Sequence, residues 1–373
     1  MRHLATIREI QSIEPIKGKD RVELAHVDGW TCMISKADKF KAGDMCVFCE
    51  PDSVFPQEDR WEFLKKYNYR IKTQKFKDSD GNPIYSQGLV LPLSTLPEKI
   101  SMKSNKKAFY LHVGDDVTAL LGITQYEPPM DKEPVEPVNK KYPKWLMKYA
   151  LFRKLLLPKK ISGKFPDFVS KTDEERIQNC PNIVKDEDID WIATEKLDGQ
   201  SGTFAVKRHR HLFWSTYEFF VCSRNLRKPH PDSSSYWFVA KKYDIKKKLI
   251  SYLKNRPELD WVAIQGECVG PNIQGNKYKL KEYDLYVFNF INSNRGRLDS
   301  EIASEIIGDM DMKFVPILGF FELVNKSVED ILRIANGQSH LADTIREGIV
   351  FRSDDGKKSF KAVSPEFLIK HNQ

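Results

Sequence analysis

What most constrains this chain is a break in it. Residues 127–144, EPPMDKEPVEPVNKKYPK, crowd prolines and charges into one stretch. Proline lacks a backbone N–H and fixes φ, so such a stretch favours an extended linker over a helix or a central strand. The sequence therefore divides. Before the break, HLATIREIQSIEPI, RVELAHVDGWTCMIS, DMCVFCEPDSVF, GLVLPLSTL and DDVTALLGITQY are short β-like runs separated by turn signals. This spacing predicts a small β-barrel of the OB type over residues 1–125. The charged stretch 56–80 reads as loop or short helix. After the break, WIATEKL, SGTFAVKR, WVAIQGECV, DLYVFNF and GIVFRS read as strands, and helical patterns fall at 237–254, 299–307 and 327–336. That alternation predicts an α+β domain over 161–373, and 373 residues suffice for two cores.

Between them, 126–160 joins the linker to KKYPKWLMKYALFRKLLLPKK (140–160), which has many basic residues, no acidic one and apolar residues at roughly helical spacing. A basic amphipathic helix is expected. Its cationic face suits solvent beside a neighbouring domain, an RNA backbone or a membrane surface, and the sequence alone leaves these open. The formal charge of +8 adds little, because phosphate binding depends on where charge lies. No apolar run is long enough to span a bilayer and none resembles a secretory signal, so an intracellular protein is expected, its compartment unresolved. The pair in CVFC (46–49) has the spacing of half a zinc site, but no second pair completes it. Buried strand thiols are the expectation.

Chemistry points to EKLDG (195–199). Lys196 follows an apolar run and precedes Asp198-Gly199, where the chain turns into the next strand. A lysine at a strand end becomes a nucleophile when its surroundings depress the ammonium pKa. Its amine can then attack the α-phosphorus of a nucleoside triphosphate. Alone, KxDG reads as a surface lysine before an Asp-Gly turn. No dinucleotide fingerprint or phosphate-cradling loop of the GxxxxGK type occurs, so a nucleotide must be held in another way.

The context extends the motif. Together with CSRNL (222–226), QGECVGP (265–271), DLYVFNF (284–290), EGIVFR (347–352) and SFKAVS (359–364), in that order, the region resembles the covalent nucleotidyltransferase superfamily of RNA ligases, DNA ligases and mRNA capping enzymes. It looks most like ATP-dependent RNA ligases that place an OB module before the catalytic domain. The resemblance implies a mixed α/β adenylyltransferase fold with Lys196 as adenylate acceptor. Glu195 and Gly199 join it in nucleotide binding, and Asp198 orients metal-bound water or the ribose. Glu267 would bind the ribose hydroxyls or a metal-bound water, and Glu347 the metal's water shell; with Asp198 they form the expected metal set for Mg²⁺ or Mn²⁺. Phe288 would stack on adenine. Lys361 would hold the α-phosphate, and Arg224 the activated 5′ end through its guanidinium fork, with Asn225 beside it.

Two departures stand out. Asn289 replaces an aspartate common in relatives, which puts one polar contact in doubt. Val363 replaces a second lysine, for which Lys358 is a candidate substitute. Val350 and Phe351 read as core, and His209 and His211 need no catalytic role.

The implied activity joins RNA 3′-hydroxyl and 5′-phosphate ends, in RNA repair, through lysyl-AMP and a 5′-adenylylated RNA. An RNA–DNA hybrid nick is also a possible substrate. A DNA ligase, a capping enzyme and a noncatalytic RNA-binding OB protein are the alternatives. No obligatory protein partner and no membrane are implied. A flexible 127–144 linker would let the barrel surface or the adjoining basic helix close over ATP and withdraw; a barrel that clamps RNA and one that only stabilises the transferase fold are the alternatives.

Overall fold

The computed structural model describes residues 3–97, 111–126, 163–171, 173–185, 189–228 and 234–371. The expected linker and basic helix, Tyr126 apart, lie outside the described residues.

The strands of the N-terminal unit pair antiparallel throughout. They are β1 (Ala5–Glu9), β2 (Ser12–Pro15), β3 (Val22–Val27), β4 (Trp30–Ser35), β5 (Met45–Cys49), β6 (Ser53–Val54), β7 (Gln74–Lys77), β8 (Pro83–Ser86), β9 (Leu89–Leu91) and β10 (Thr124–Gln125). Strand β4 shows why the pattern folds this way: Trp30, Cys32 and Ile34 are buried while Thr31, Met33 and Ser35 between them are not, the period-2 signature of a half-buried strand. Strand β5 lies between β1 and β9 and is covered on both faces. Val47 and Cys49 enter one core cluster with Ile7 and Leu121, whereas Cys46 and Phe48 enter another with Trp30 and Val90. The two CVFC thiols thus face opposite ways and cannot share a metal. Burial pushes the Cys46 thiol up to about 12. Of the ambiguous 56–80 stretch, Asp59–Tyr67 is a 3₁₀ helix that sends Trp61 and Leu64 into the core.

Two sheets build the C-terminal unit. In the first the order is β18 (Ile317–Phe321), β11 (Trp191–Lys196), β19 (Gly348–Ser353) and β20 (Ser359–Val363). In the second it is β13 (Ser215–Ser223), β12 (Gln200–Arg210), β14 (Trp261–Val269), β15 (Asp284–Asn292) and β16 (Gly296–Arg297), with β17 (Lys313–Phe314) parallel to β15. Helices α1 (Ser235–Lys242), α2 (Ile245–Lys254) and α3 (Ser300–Asp309) bury Tyr236, Leu249, Leu253 and Ile307 with Phe204, Ile264 and Phe290 of the second sheet. Helix α4 (Val328–Ala335) starts at a Ser327–Asp330 capping box and packs Ile331 and Ala335 with Trp191, Phe351 and Phe360 of the first. Helix α5 (Pro365–Lys370) follows β20.

All five predicted catalytic-domain strands are present. The helix expected over 237–254 is instead two, because Asp244 adopts φ 47° and breaks the run. No helix among the described residues is long and apolar enough to cross a membrane.

Residues 173–180 join the units. On one side Lys361 N–H of β20 donates to Glu175 O at 2.8 Å. On the other, Gly29 N–H donates to Gln178 O at 2.9 Å, Trp30 Nε1 to Asn179 Oδ1 at 2.7 Å, and Asn179 Nδ2 to Glu50 Oε1 at 2.6 Å. Gln178 Nε2 adds a buried bond to Gln87 Oε1 at 3.1 Å. The barrel is therefore docked through a strip that itself extends the catalytic sheet. Gly29 has no room for a side chain: a Cβ would lie 2.6 Å from Gln178 Cα and 2.9 Å from its carbonyl oxygen. Gly29→Ala is expected to lower stability by about 1–3 kcal/mol in thermal unfolding, since backbone must move to admit it. Gly308→Ala, in α3 with open space around it, is expected to be neutral or to stabilise by up to about 1 kcal/mol.

Candidate active site

The EKLDG segment leaves the first sheet and enters the second. Lys196 ends β11 opposite Gly348 of β19, and two residues beyond Leu197-Asp198 the chain opens β12, where Ser201 pairs with Glu267 of β14. Gly199 sits at a tight point of the crossing. A Cβ there would meet Cys268 O at 2.4 Å, so only glycine lets the loop pack on β14. Gly348 is as confined, with Ala362 O at 2.2 Å from its would-be Cβ.

Lys196 Nζ donates to Glu347 Oε2 at 2.6 Å, and the two side chains are 26% and 13% exposed. Burial alone would depress the Lys196 ammonium, but the carboxylates of Glu347, Glu267 and Asp198 together outweigh it and hold the pKa above its ordinary value. Free of metal and nucleotide, the site therefore holds Lys196 as the ammonium. The strand-end motif places the amine among acids that lie distant in sequence, and their combined field favours the proton. Burial likewise raises Glu347 against the pull of Lys196. Glu267 is pushed up to about 8 by burial, with Glu347 and Asp198 adding to it and Lys196 opposing.

Such a surplus of buried carboxylate oxygen suits a hard divalent cation. Among the described residues no three Asp, Glu, His or Cys side chains converge as direct ligands to one ion. The donor set therefore fits a cation that keeps its waters, reached by Glu267 and Glu347 through them. Asp198, the third residue of the expected metal set, is engaged otherwise. It is 9% exposed and ion-paired to Lys277, while its N–H donates to Tyr278 Oη at 2.8 Å.

Glu195 is buried and anchors a loop, accepting from Ser339 Oγ at 2.5 Å and from His340 N–H at 2.8 Å. Phe288 is the extra residue of a bulge in β15, since Gln265 pairs with Asn289 but Gly266 with Val287. Half-buried, it lies with Leu197, Val269, Tyr278 and Val315 in an apolar patch beside Lys196, a surface suited to a flat base. Asn289 is turned into a polar chain: its Nδ2 donates to Gln265 Oε1 at 3.0 Å, and Gln265 Nε2 donates to Ser170 O at 2.8 Å. The amide ties β15 to the 163–171 segment, which is structural work for the position in doubt.

Lys361, on β20, lies near enough to Glu347 to lower its pKa. Both Lys361 and Arg224 pair with Asp173, at 3.1 and 2.7 Å. Asn225 Oδ1 accepts from Lys171 Nζ at 3.2 Å in an exposed hydrogen bond. The substitute proposed for the missing lysine fails on geometry. Lys358 occupies the β19–β20 turn, where its N–H donates to Ser353 Oγ, whereas the Lys196 end of that hairpin is the Gly348–Val363 pair. Val363 is 3% exposed and packs as core. Lys277, Tyr278, Ser339, His340 and Asp173 carry no sequence signal of a site because they come from irregular segments.

A pH dependence follows. With an ordinary value of 4.5 unfolded and about 8 folded, Glu267 binds more proton in the folded chain between these limits. Its contribution is fully present below about pH 4.5 and is lost as pH rises through about 8. In the protein free of metal and nucleotide, Glu267→Gln is expected to flatten the fall in thermal stability between about pH 5 and 8 and to exceed wild type at pH 8 by about 1–2 kcal/mol.

Known proteins bear on the fold and the family. A family profile described as RNA ligase matches residues 189–363, and one described as an OB-fold domain matches residues 4–93. Searching curated proteins finds no match. Among solved structures, a variant of the Naegleria gruberi RNA ligase with ATP and Mn is 34% identical with TM-score 0.78, covering 100% of both chains. The Naegleria gruberi RNA ligase with PPi is 34% identical with TM-score 0.78, covering 100% of this chain and 99% of the other. Another variant with AMP and Mn is 35% identical with TM-score 0.77, at the same coverage. The N-terminal unit is thus the expected OB fold, the C-terminal unit is the expected nucleotidyltransferase domain, and the chain belongs to the RNA ligase family.

Proposed function

We propose that this protein joins RNA 3′-hydroxyl and 5′-phosphate ends at the expense of ATP, in RNA repair, with Lys196 as the covalent carrier of AMP. The observation that carries the reading is Lys196 Nζ, 2.6 Å from Glu347 and under the fields of Glu267 and Asp198 at the crossing of the two sheets. Relatives solved with ATP and Mn, or with AMP and Mn, support the choice of nucleotide and cation.

Each residue then has a task set by its place. Adenine lies on the apolar patch at Phe288. Glu347 aligns the Lys196 amine and is the carboxylate in position to receive its proton. The free amine attacks the α-phosphorus, the phosphoramidate bond forms, and pyrophosphate leaves. Lys361 faces the charge that grows on the phosphate oxygens. A hydrated Mg²⁺ or Mn²⁺ held by Glu267 and Glu347 would supply positive charge that offsets these carboxylates and lowers the proton affinity of Lys196. Next, a 5′-phosphate seated on Arg224 takes the AMP and restores the lysine. A 3′-hydroxyl finally attacks that phosphate and AMP departs. Lys277 keeps the Asp198 turn closed beneath the nucleophile.

The two halves of the reaction separate experimentally. Lys196→Ala is expected to abolish enzyme–AMP formation and sealing of 5′-phosphorylated RNA, while supplied 5′-adenylylated RNA is still joined, because that substrate enters after the lysine has acted. Wild-type sealing of 5′-phosphorylated RNA by the variant excludes the assignment. Presenting nicks with a 3′-ribose or a 3′-deoxyribose terminus tests the substrate: RNA repair requires faster sealing of the former.

A further inference from the structure

The strip that docks the barrel begins on a carboxylate shared by two cations. Asp173 Oδ1 is 3.1 Å from Lys361 Nζ, and its Oδ2 is 2.7 Å from Arg224. These side chains come from different sheets, Lys361 on β20 and Arg224 just after β13. On the ligase reading, which this inference presupposes, Lys361 takes the phosphate of AMP and Arg224 the 5′-phosphate of RNA. In the adenylylated end those two phosphates share one bridging oxygen. A single carboxylate touches both cations, one oxygen to each.

We propose that Asp173 is a phosphate surrogate, a positioning residue that keeps Lys361 and Arg224 together and is displaced as the AMP phosphate and the RNA 5′-phosphate take up those two cations. Guanidinium accepts carboxylate and phosphate oxygens with the same geometry, so the exchange replaces one charge-assisted contact by another. The Asp173 side chain is 43% exposed, against 15% for Lys361, and can swing into water at small cost. Its backbone stays in place. Glu174 is held by Arg297 at 3.0 Å and by Arg352 at 3.4 Å, and Glu175 O accepts from Lys361 N–H. Only the side chain needs to move. The same strip carries Gln178 and Asn179 to the barrel, which links the surrogate's position to barrel docking.

Binding of inorganic pyrophosphate to the full chain, measured by calorimetry, tests this without chemistry. Asp173→Asn and Asp173→Ala, confirmed as folded by thermal unfolding, are expected to bind it about threefold to tenfold tighter than wild type, the scale of one partly exposed charge. Glu175→Gln serves as control: this carboxylate lies two residues along the strip but bonds Asn179 at 2.6 Å, and its removal is expected to leave the affinity unchanged. In single-turnover adenylylation the Asp173 variants are expected to reach half-maximal rate at lower ATP with no rise in the maximal rate. Unchanged or weaker pyrophosphate binding in both variants overturns the proposal, as does equal tightening by Glu175→Gln. Failure of the ligase reading looks different: wild type would form no enzyme–AMP, whatever the pyrophosphate affinities.

Discussion

The charge balance around Lys196 governs the rest of the structure. An ammonium and a carboxylate 2.6 Å apart lie largely out of water, with a second carboxylate and the Asp198–Lys277 pair close by. Removing charges from water costs several kcal/mol per ion, and the cost is recovered only with tight geometry. Several features supply that geometry. The β11–β19 ladder fixes Lys196 opposite Gly348, beside Glu347, and Gly199 and Gly348 let backbone approach where a Cβ would collide. The two hydrophobic layers behind the sheets, around Phe351 and Phe360 on one side and Phe204 and Phe290 on the other, hold the crossing rigid.

The same balance explains why the site needs a divalent cation to act. With an ammonium held above its ordinary pKa, the amine is aligned but protonated. The positive charge of a bound cation would shift that equilibrium, so the chemistry waits for the metal. The barrel takes part through the 173–180 strip, which runs against β20 on one edge and receives Gly29 and Trp30 on the other. A barrel that opens and closes must break or carry along those bonds, which ties its movement to the position of Lys361.

Local pattern made much of this legible. The alternating β4, the twice-covered β5 and the five catalytic strands follow from apolar periodicity, and KxDG marked the crossing because its glycine answers a close approach visible only in three dimensions. Other features depend on long-range contact. Asp198 meets Lys277, Glu195 meets Ser339 and His340, and Lys361 meets Asp173, in each case through a segment without periodicity. The direction of the Lys196 shift also depends on long-range contact: three carboxylates from separate strands and turns decide it. Lys358 looked close to Lys361 in sequence, but the hairpin carries it to the opposite end.

The central claim is that Lys196 itself takes up AMP. Incubating the full chain with ATP labelled at the α- or the γ-phosphate, with Mg²⁺ or Mn²⁺, and mapping the labelled peptide addresses it directly. The account requires α-label, and no γ-label, bound through an acid-labile bond to the peptide containing Lys196, and passing to the 5′ end of an RNA added afterwards. Label on another residue, retention of the γ-phosphate, or no covalent label on folded protein would contradict it.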